Sequence, residues 1–202
     1  GINTALKAKD LGAKVIAISC SKGVLYDEVD LDLELIKELN SGPEELDVYL
    51  DKYPNTKYFK NPKELWNIKA DIAIPCATQN ELDANDAKKL IDNGLKMLVE
   101  GANKPSTDKA IELFIKNKVL FIPSKAANTG GVSVSSLEML QNATTSKWSA
   151  EEVDRELKTI MENIFDNIYE TAKDLNNIYN LEKAANVASF KKIYEAMKAQ
   201  GI

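Results

Sequence analysis

Three short segments of this chain combine small residues with amide and hydroxyl side chains. They are ATQNE at 77–81, EGANKP at 100–105 and SKAANTGGV at 124–132. Amide and hydroxyl groups hydrogen-bond a sugar or a carboxamide without adding charge, and glycine lets the backbone approach a ligand closely. The segments therefore favour binding of a polar, uncharged part of a ligand. The alternative is that their asparagines and glycines only form turns.

The elements that would position these segments are short strands. Apolar runs predict strands at 13–19, 71–77, 96–100 and 119–122. Amphipathic patterns around them predict helices at 2–11, 31–39, 43–50, 84–93 and 107–117. Such alternation is typical of βαβ units and a parallel sheet, which places the fold in the α/β class. Because ligands bind beyond the carboxyl ends of parallel strands, we expect the three polar segments at one edge of the sheet.

From Ser149 onward the pattern becomes wholly helical. Ser149 and Glu152 have the spacing of a capping box. We interpret two apolar stripes at helical spacing as packing surfaces, one on each predicted helix. The first stripe is Val153, Leu157, Ile160, Met161, Ile164, Ile168 and Leu175, and the second is Val187, Phe190, Tyr194 and Met197.

The composition argues against several classes of function. The 202 residues carry a net charge of −5, and their lysines and arginines are not clustered, so no nucleic-acid partner is expected. The chain has no histidine, which excludes a Ser-His-Asp triad and histidine-bound metals, and we expect no metal site. No stretch approaches the ~20 apolar residues of a membrane span. Cys20 and Cys76 show no pairing pattern, which favours a reducing, cytoplasmic compartment.

The residues after the first apolar run bear on cofactor choice. In dinucleotide-binding folds a carboxylate after the second strand binds the ribose 2′-hydroxyl of NAD and repels a 2′-phosphate. This chain has Ser19, Ser21 and Lys22 there, and its next carboxylate is Asp27. Two hydroxyls and an ammonium group suit a phosphate, which favours NADP, with NAD possible. The alternative is that Lys22 is a solvated turn residue.

Several motifs, in order, resemble one known family. They are LGAKVIAIS at 11–19, PCATQNE at 75–81, EGAN at 100–103, KAAN at 125–128, GGV at 130–132 and WSAEEV at 148–153. Over essentially its whole length the chain is similar to the hexameric-type glutamate dehydrogenases. The resemblance implies a Rossmann-like parallel sheet flanked by helices over 1–145, without its first strand and glycine-rich loop. It implies C-terminal helices over 146–202 that pack toward a substrate domain outside this chain.

The resemblance also implies site residues. Asn103 would hydrogen-bond the nicotinamide ribose, Asn128 would reach the carboxamide, and the Ser135 hydroxyl would bind the γ-carboxylate of glutamate beside Val132. Lys104 and Ser124 depart from the family, which commonly has an uncharged residue and a glycine there. The remaining cofactor-binding positions are Ala77, Thr78, Gln79 and Gly101.

The implied activity is reversible oxidative deamination of L-glutamate to 2-oxoglutarate and ammonia, with NADP or NAD, by a homohexamer. The resemblance places the catalytic lysine and aspartate before Gly1, so we assign no catalytic residue here and expect the chain alone to be inactive. Two alternatives stay open. One is a dehydrogenase of leucine, phenylalanine or valine, and the other is a non-catalytic interaction module with this fold.

Overall fold

Two three-stranded sheets form the framework of the computed structural model, which describes residues 1–39, 43–145 and 147–201. The first sheet is antiparallel, in the order β1 (Ala17–Cys20), β2 (Gly23–Tyr26) and β3 (Lys57–Phe59). The second is parallel, in the order β4 (Ile72–Ala73), β5 (Met97–Val99) and β6 (Leu120–Ile122). Among the described residues no strand ladder joins the two sheets.

The helices that connect the parallel strands confirm the βαβ prediction. Helices α4 (Ala84–Asp92) and α5 (Asp108–Lys116) lie between successive strands of this sheet. The Asp83 carboxylate accepts from the second and third backbone N–H groups of α4, and the Thr107 hydroxyl accepts from the third of α5. Each cap satisfies donors that the first helical turn leaves unpaired. The local sequence therefore determines where both connecting helices begin.

Strand β6 lies between two apolar cores. Phe121 is fully buried with Phe114 and Leu98 on the α4–α5 side. Its neighbours Leu120 and Ile122 pack on the opposite side, against α8 (Ala150–Asp174) and α9 (Leu181–Ala199). Successive side chains of a strand point to opposite faces, so three residues serve both cores. Burying one large apolar side chain contributes ~1.5–3 kcal/mol, and α8 and α9 therefore help to stabilise the parallel sheet.

The first predicted strand is wrong in extent and direction. The prediction placed a buried strand of the parallel sheet at 13–19, whereas β1 starts at Ala17 and pairs antiparallel with β2. The hairpin turn is Ser21–Lys22, which lacks the Asn-Gly type of signal that identifies such turns. Gly23 follows it, and a Cβ there would lie 2.2 Å from the carbonyl oxygen of Phe59, because β3 approaches closely.

The antiparallel sheet has its own small core. Leu25, Leu31, Leu33 and Tyr49 are buried together, and side chains of the first helix pack around them. The helices of this part agree with the predictions at 2–11, 31–39 and 43–50, and a 3₁₀ helix follows β3. Their bounds are Ile2–Asp10 (α1), Leu33–Glu38 (α2), Pro43–Lys52 (α3) and Pro62–Asn67 (the 3₁₀ helix).

The C-terminal part confirms some predictions and leaves another untested. The polar segment 124–132 forms α6 (Ser124–Ala127) and the start of α7 (Gly130–Thr144). The Ser149–Glu152 capping box is present at the start of α8, and the stripe on α8 is partly or fully buried. On α9, Phe190 is 66% exposed, and Tyr194 and Met197 are also exposed. The described residues of this chain do not cover these three side chains, so packing against a domain outside the chain stays a prediction. No helix of the described residues is long and apolar enough to cross a membrane.

Candidate functional site

The loops that follow the three parallel strands lie side by side. The carbonyl oxygen of Pro75 accepts hydrogen bonds from the backbone N–H groups of Gly101 and Ala102, both at 3.0 Å. The N–H of Asn80 donates to the carbonyl of Lys104, also at 3.0 Å. The loop after β4 and the loop after β5 are therefore joined through their backbones. This arrangement follows from parallel strands, whose carboxyl ends meet at one edge.

Gly101 is where these two loops come closest. A Cβ at this position would lie 2.6 Å from the Sγ atom of Cys76, which is closer than such atoms approach each other. Only glycine leaves room for the loop after β4. The proposed role of Gly101 in cofactor binding is accompanied by a packing role that the structure shows directly.

Asn103, in the loop after β5, contacts Asn128 at the end of α6. The Nδ2 atom of Asn128 donates to the Oδ1 atom of Asn103 at 2.5 Å. Asn103 is exposed and Asn128, the residue that ends α6, is half-buried. The structure thus brings together two residues that the sequence marked separately.

Thr78 and Gln79 are exposed on the turn of the loop after β4. The carboxylate of Glu81 accepts from the N–H of Ala77 at 3.0 Å, and the N–H of Glu81 donates to the carbonyl of Thr78 at 3.4 Å. These bonds hold the turn. Among the described residues, no hydrogen bond joins Thr78 or Gln79 to either asparagine.

Lys104 and Ser124, where the resemblance implies a departure from the family, contact each other. The backbone N–H of Lys104 donates to the Oγ atom of Ser124 at 3.3 Å. A glycine at position 124 would lack this acceptor. The serine therefore adds a bond between the loop after β5 and the start of α6, next to the asparagine pair.

Helix α6 is also tied to the last helix. The Nζ atom of Lys125 lies 2.5 Å from Oε1 of Glu182 and 2.8 Å from Oδ1 of Asn186. Both partners belong to α9, which packs on the same side of the sheet as Ala126. Asn128 therefore ends a short helix that is hydrogen-bonded both to the loop after β5 and to α9.

The residues proposed for cofactor choice lie on the other sheet. Ser19, Ser21 and Lys22 are all exposed, at the end of β1 and in its hairpin turn. The Tyr58 hydroxyl donates to the carbonyl of Lys22 at 2.7 Å, which fixes the turn against β3. These three exposed residues carry two hydroxyls and one ammonium group.

Val132 and Ser135 lie one turn apart on an exposed face of α7. Val132 is 69% exposed, while Ser133 on the other face is buried. The Ser135 hydroxyl donates to the carbonyl of Gly131 at 3.2 Å. Its oxygen lone pairs remain able to accept a hydrogen bond, and the hydroxyl can rotate toward another acceptor.

The described charged groups with shifted pKa values lie outside the three polar segments. Backbone N–H groups of Asp86 and Asn85 lower the pKa of Asp83 at the start of α4. A hydrogen bond from the Tyr53 hydroxyl lowers the pKa of Asp32 at the start of α2, and a second bond from the N–H of Leu35 lowers it to a smaller extent. In the part of the chain that the structure describes, no three His, Cys, Asp or Glu residues form a group able to hold a metal ion.

Sequence reasoning did not single out Glu100. This carboxylate is 2% exposed and lies directly between the loops after β5 and β6. The available signal was a single acidic residue at the end of an apolar strand, immediately before a glycine.

Comparison with known proteins agrees with the geometry. Parallel strands with connecting helices, and polar loops at the carboxyl ends of the strands, define an open α/β fold. A sequence model of the family Glutamate/Leucine/Phenylalanine/Valine dehydrogenase matches residues 1–201, and the chain belongs to that family.

Individual relatives cover the whole chain but are longer. The chain is 43% identical over 208 residues to the NADP-specific glutamate dehydrogenase of Helicobacter pylori strain J99, covering 100% of this chain and 46% of that protein. It is 43% identical over 205 residues to the NAD-specific glutamate dehydrogenase of Bacteroides fragilis, covering 98% and 45%. The crystal structure of Plasmodium falciparum glutamate dehydrogenase superposes with a TM-score of 0.89 at 41% identity, covering 100% and 44%. The chain thus spans less than half the length of these relatives.

Proposed function

We propose that this chain is the cofactor-orienting part of a glutamate dehydrogenase. The full-length protein would interconvert L-glutamate with 2-oxoglutarate and ammonia, using NADP or NAD. The observation that carries the proposal is the contact between Asn103 and Asn128 at the carboxyl edge of the parallel sheet. Relatives that match the entire chain are named glutamate dehydrogenases, which supports the substrate.

The residues present fit the nicotinamide end of such a cofactor. After the Asn103–Asn128 bond forms, the amide nitrogen of Asn103 keeps two donors and the amide oxygen of Asn128 keeps acceptor capacity. A ribose hydroxyl and a carboxamide need such donors and acceptors and no charge. Ala77, Thr78, Gln79 and Gly101 would border the same end of the cofactor. When bound, the cofactor accepts a hydride from Cα of glutamate.

We propose that α7 carries the residues that bind the substrate. Ser135 would hydrogen-bond the γ-carboxylate of glutamate, and Val132 would border the side chain. The exposed position of both residues supports access from outside this chain. Water then hydrolyses the imino acid that hydride loss leaves, and closure of a second domain over the site would exclude excess water during hydride transfer.

The preference for NADP rests on the hairpin turn. Ser19, Ser21 and Lys22 offer two hydroxyls and a cation, and no carboxylate, at the turn. Relatives of equal similarity are named NADP-specific and NAD-specific, so their names favour neither cofactor. The local chemistry favours the extra phosphate of NADP.

The organisation of the full protein is part of the proposal. Residues 1–145 would bind the cofactor, and residues 146–202 would pack toward a second domain. No residue of this chain is assigned to proton transfer, and the 202 residues contain no G-x-G-x-x-G sequence for a pyrophosphate. We therefore expect the chain alone to bind NADPH weakly and to turn over no glutamate. The full-length protein would be cytoplasmic and would form a homohexamer. Light scattering after gel filtration tests the oligomeric state.

The deciding experiment is an assay of the full-length gene product with each cofactor and each candidate amino acid. Glutamate should be oxidised much faster than leucine, phenylalanine or valine. A faster rate with one of those three would reassign the substrate within the family. No turnover of any of them, with no NADPH binding, would favour a non-catalytic interaction module.

A further inference from the structure

The buried carboxylate of Glu100 links the loop after β5 to the start of α6. Its Oε1 atom accepts from the backbone N–H of Ser106 at 3.2 Å, and its Oε2 atom accepts from the backbone N–H of Ser124 at 2.8 Å. Ser106 closes the loop after β5, whereas Ser124 begins α6 after β6. One side chain therefore bridges the two segments that carry Asn103 and Asn128.

The backbone of Glu100 is hydrogen-bonded as well as its side chain. Its own backbone N–H donates to the carbonyl of Ile122 at 3.0 Å, which places it in line with the strand ladder between β5 and β6. Within the described ranges no lysine or arginine forms an ion pair with it. A buried carboxylate without a cation depends on hydrogen bonds for its stabilisation, and here two backbone N–H groups provide them. Both bonds are therefore costly to lose.

The distances along the chain are short. Asn103 is three residues beyond Glu100, and Asn128 is four residues beyond Ser124. The bond from the N–H of Lys104 to the Ser124 hydroxyl adds a second link between the same segments. A change in the Glu100 bridge would therefore alter the separation of the two asparagines.

We propose that Glu100 is a positioning residue that sets the spacing of Asn103 and Asn128 for the nicotinamide end of the cofactor. This role rests on the proposed function. Glu100 does not contact the reacting atoms and acts through the two asparagines. The buried carboxylate suits this role because it accepts from one backbone N–H in the loop after β5 and from one at the start of α6.

The first test replaces Glu100 with glutamine in the full-length protein. E100Q has the same shape, but its amide nitrogen is a donor and faces one of the two backbone N–H groups. We expect the NADPH Kd, measured by cofactor fluorescence, to rise about tenfold, as for the loss of one well-placed hydrogen bond. The KM for glutamate should stay within about twofold, because α7 is not bridged by Glu100. Backbone amide exchange in the loop 101–105 should accelerate.

The matched control is Asp32→Asn. Asp32 also accepts from a backbone N–H and a second donor, but it lies beside the antiparallel sheet. D32N should lower the melting temperature without changing the NADPH Kd or the exchange of the loop 101–105. Equal weakening of NADPH binding in both variants, in proportion to lost stability, would assign Glu100 a structural role only. Unchanged binding in E100Q would also overturn the proposal.

A second pair of variants applies if E100Q fails to fold. Ser124→Pro removes the N–H that donates to Glu100, at the first position of α6, where proline is tolerated. Ser124→Ala keeps that N–H and removes only the hydroxyl. NADPH binding should weaken more in S124P than in S124A, and equal binding would contradict the bridge. Failure of the unmodified protein to bind NADPH would instead refute the proposed function. In that case, faster backbone amide exchange of the loop 101–105 in S124P than in S124A would still support the bridge, and equal exchange would contradict it.

Discussion

The side-chain amide of Asn128 donates to the side-chain oxygen of Asn103 at 2.5 Å, although the two residues are 25 positions apart in the chain. The bond joins the loop after β5 to the end of α6. It leaves the amide nitrogen of Asn103 and the amide oxygen of Asn128 available for other hydrogen bonds. Removing either partner should therefore affect the other.

Asn103→Ala and Asn128→Ala should each raise the KM for the cofactor in the full-length protein by about 3–10-fold, as expected for a lost hydrogen bond. The double variant should be less impaired than the product of the two effects, because the residues share a bond. Steady-state kinetics on the three variants measures this coupling. Strictly multiplicative effects would mean that the two amides act independently.

The hairpin turn should determine the choice between NADP and NAD. Lys22→Ala should weaken NADPH binding by about 10–100-fold, as for loss of a charge-assisted hydrogen bond, and leave NADH binding nearly unchanged. Ser21→Asp should weaken NADPH binding relative to NADH binding as well, because a carboxylate repels the 2′-phosphate. Dissociation constants for both cofactors provide the measurement. A parallel loss of both cofactors in K22A would show that the lysine is not a phosphate ligand.

Gly101→Ala should destabilise the protein by about 1–3 kcal/mol, since its Cβ would be forced against Sγ of Cys76. Adding Cys76→Ala should recover part of this loss by removing the sulfur atom. Gly131→Ala is the control, because a Cβ there would have no atom within 4 Å and the residue lies inside α7. That variant should be neutral or slightly stabilising. Chemical denaturation measures all four proteins, and equal stability of G101A and G131A would contradict the close contact.

Ser135→Ala should raise the KM for glutamate about tenfold while the KM for NADPH stays constant. Its control is Ser136→Ala, since both serines are exposed on α7 and both hydroxyls donate to the carbonyl four residues earlier. S136A should match the unmodified enzyme. If both variants behave alike, Ser135 is not the ligand of the γ-carboxylate.

Stability should fall in acid partly through Asp83. Backbone N–H groups at the start of α4 lower the pKa of its carboxyl group, so its contribution is complete above the unfolded-state pKa. That contribution is lost as the pH falls through the lower, folded-state value. Asp83→Asn keeps a capping oxygen but cannot titrate. Its melting temperature should fall less than that of the unmodified protein between about pH 5 and pH 2. Asp10→Asn, at an exposed position in the last turn of α1, is the control, and an equal acid response of D83N and D10N would contradict this assignment.

Much of the parallel half of the fold could be predicted locally. Apolar runs identified its three strands, although the run predicted at 71–77 extends four residues beyond the end of β4 at Ala73. The predicted bounds of the two helices between the strands agree with α4 and α5 to within one residue. The Ser149–Glu152 capping box located the start of α8. These features depend on residues a few positions apart. The loops after the strands could also be identified, since a parallel sheet places them together.

The α/β class and the three polar segments after the strands could be predicted from the residues alone, because periodicity, caps and composition are local properties. Three features came from the folded structure and not from local sequence: β1 pairs with β2, Asn103 contacts Asn128, and Glu100 bridges the segments that carry these two residues. The folded structure also decided that Phe190 on α9 is exposed within this chain. Strand partners and side-chain contacts depend on residues distant in sequence. A helical stripe shows which face is apolar, but what covers that face is decided by the packing of other elements.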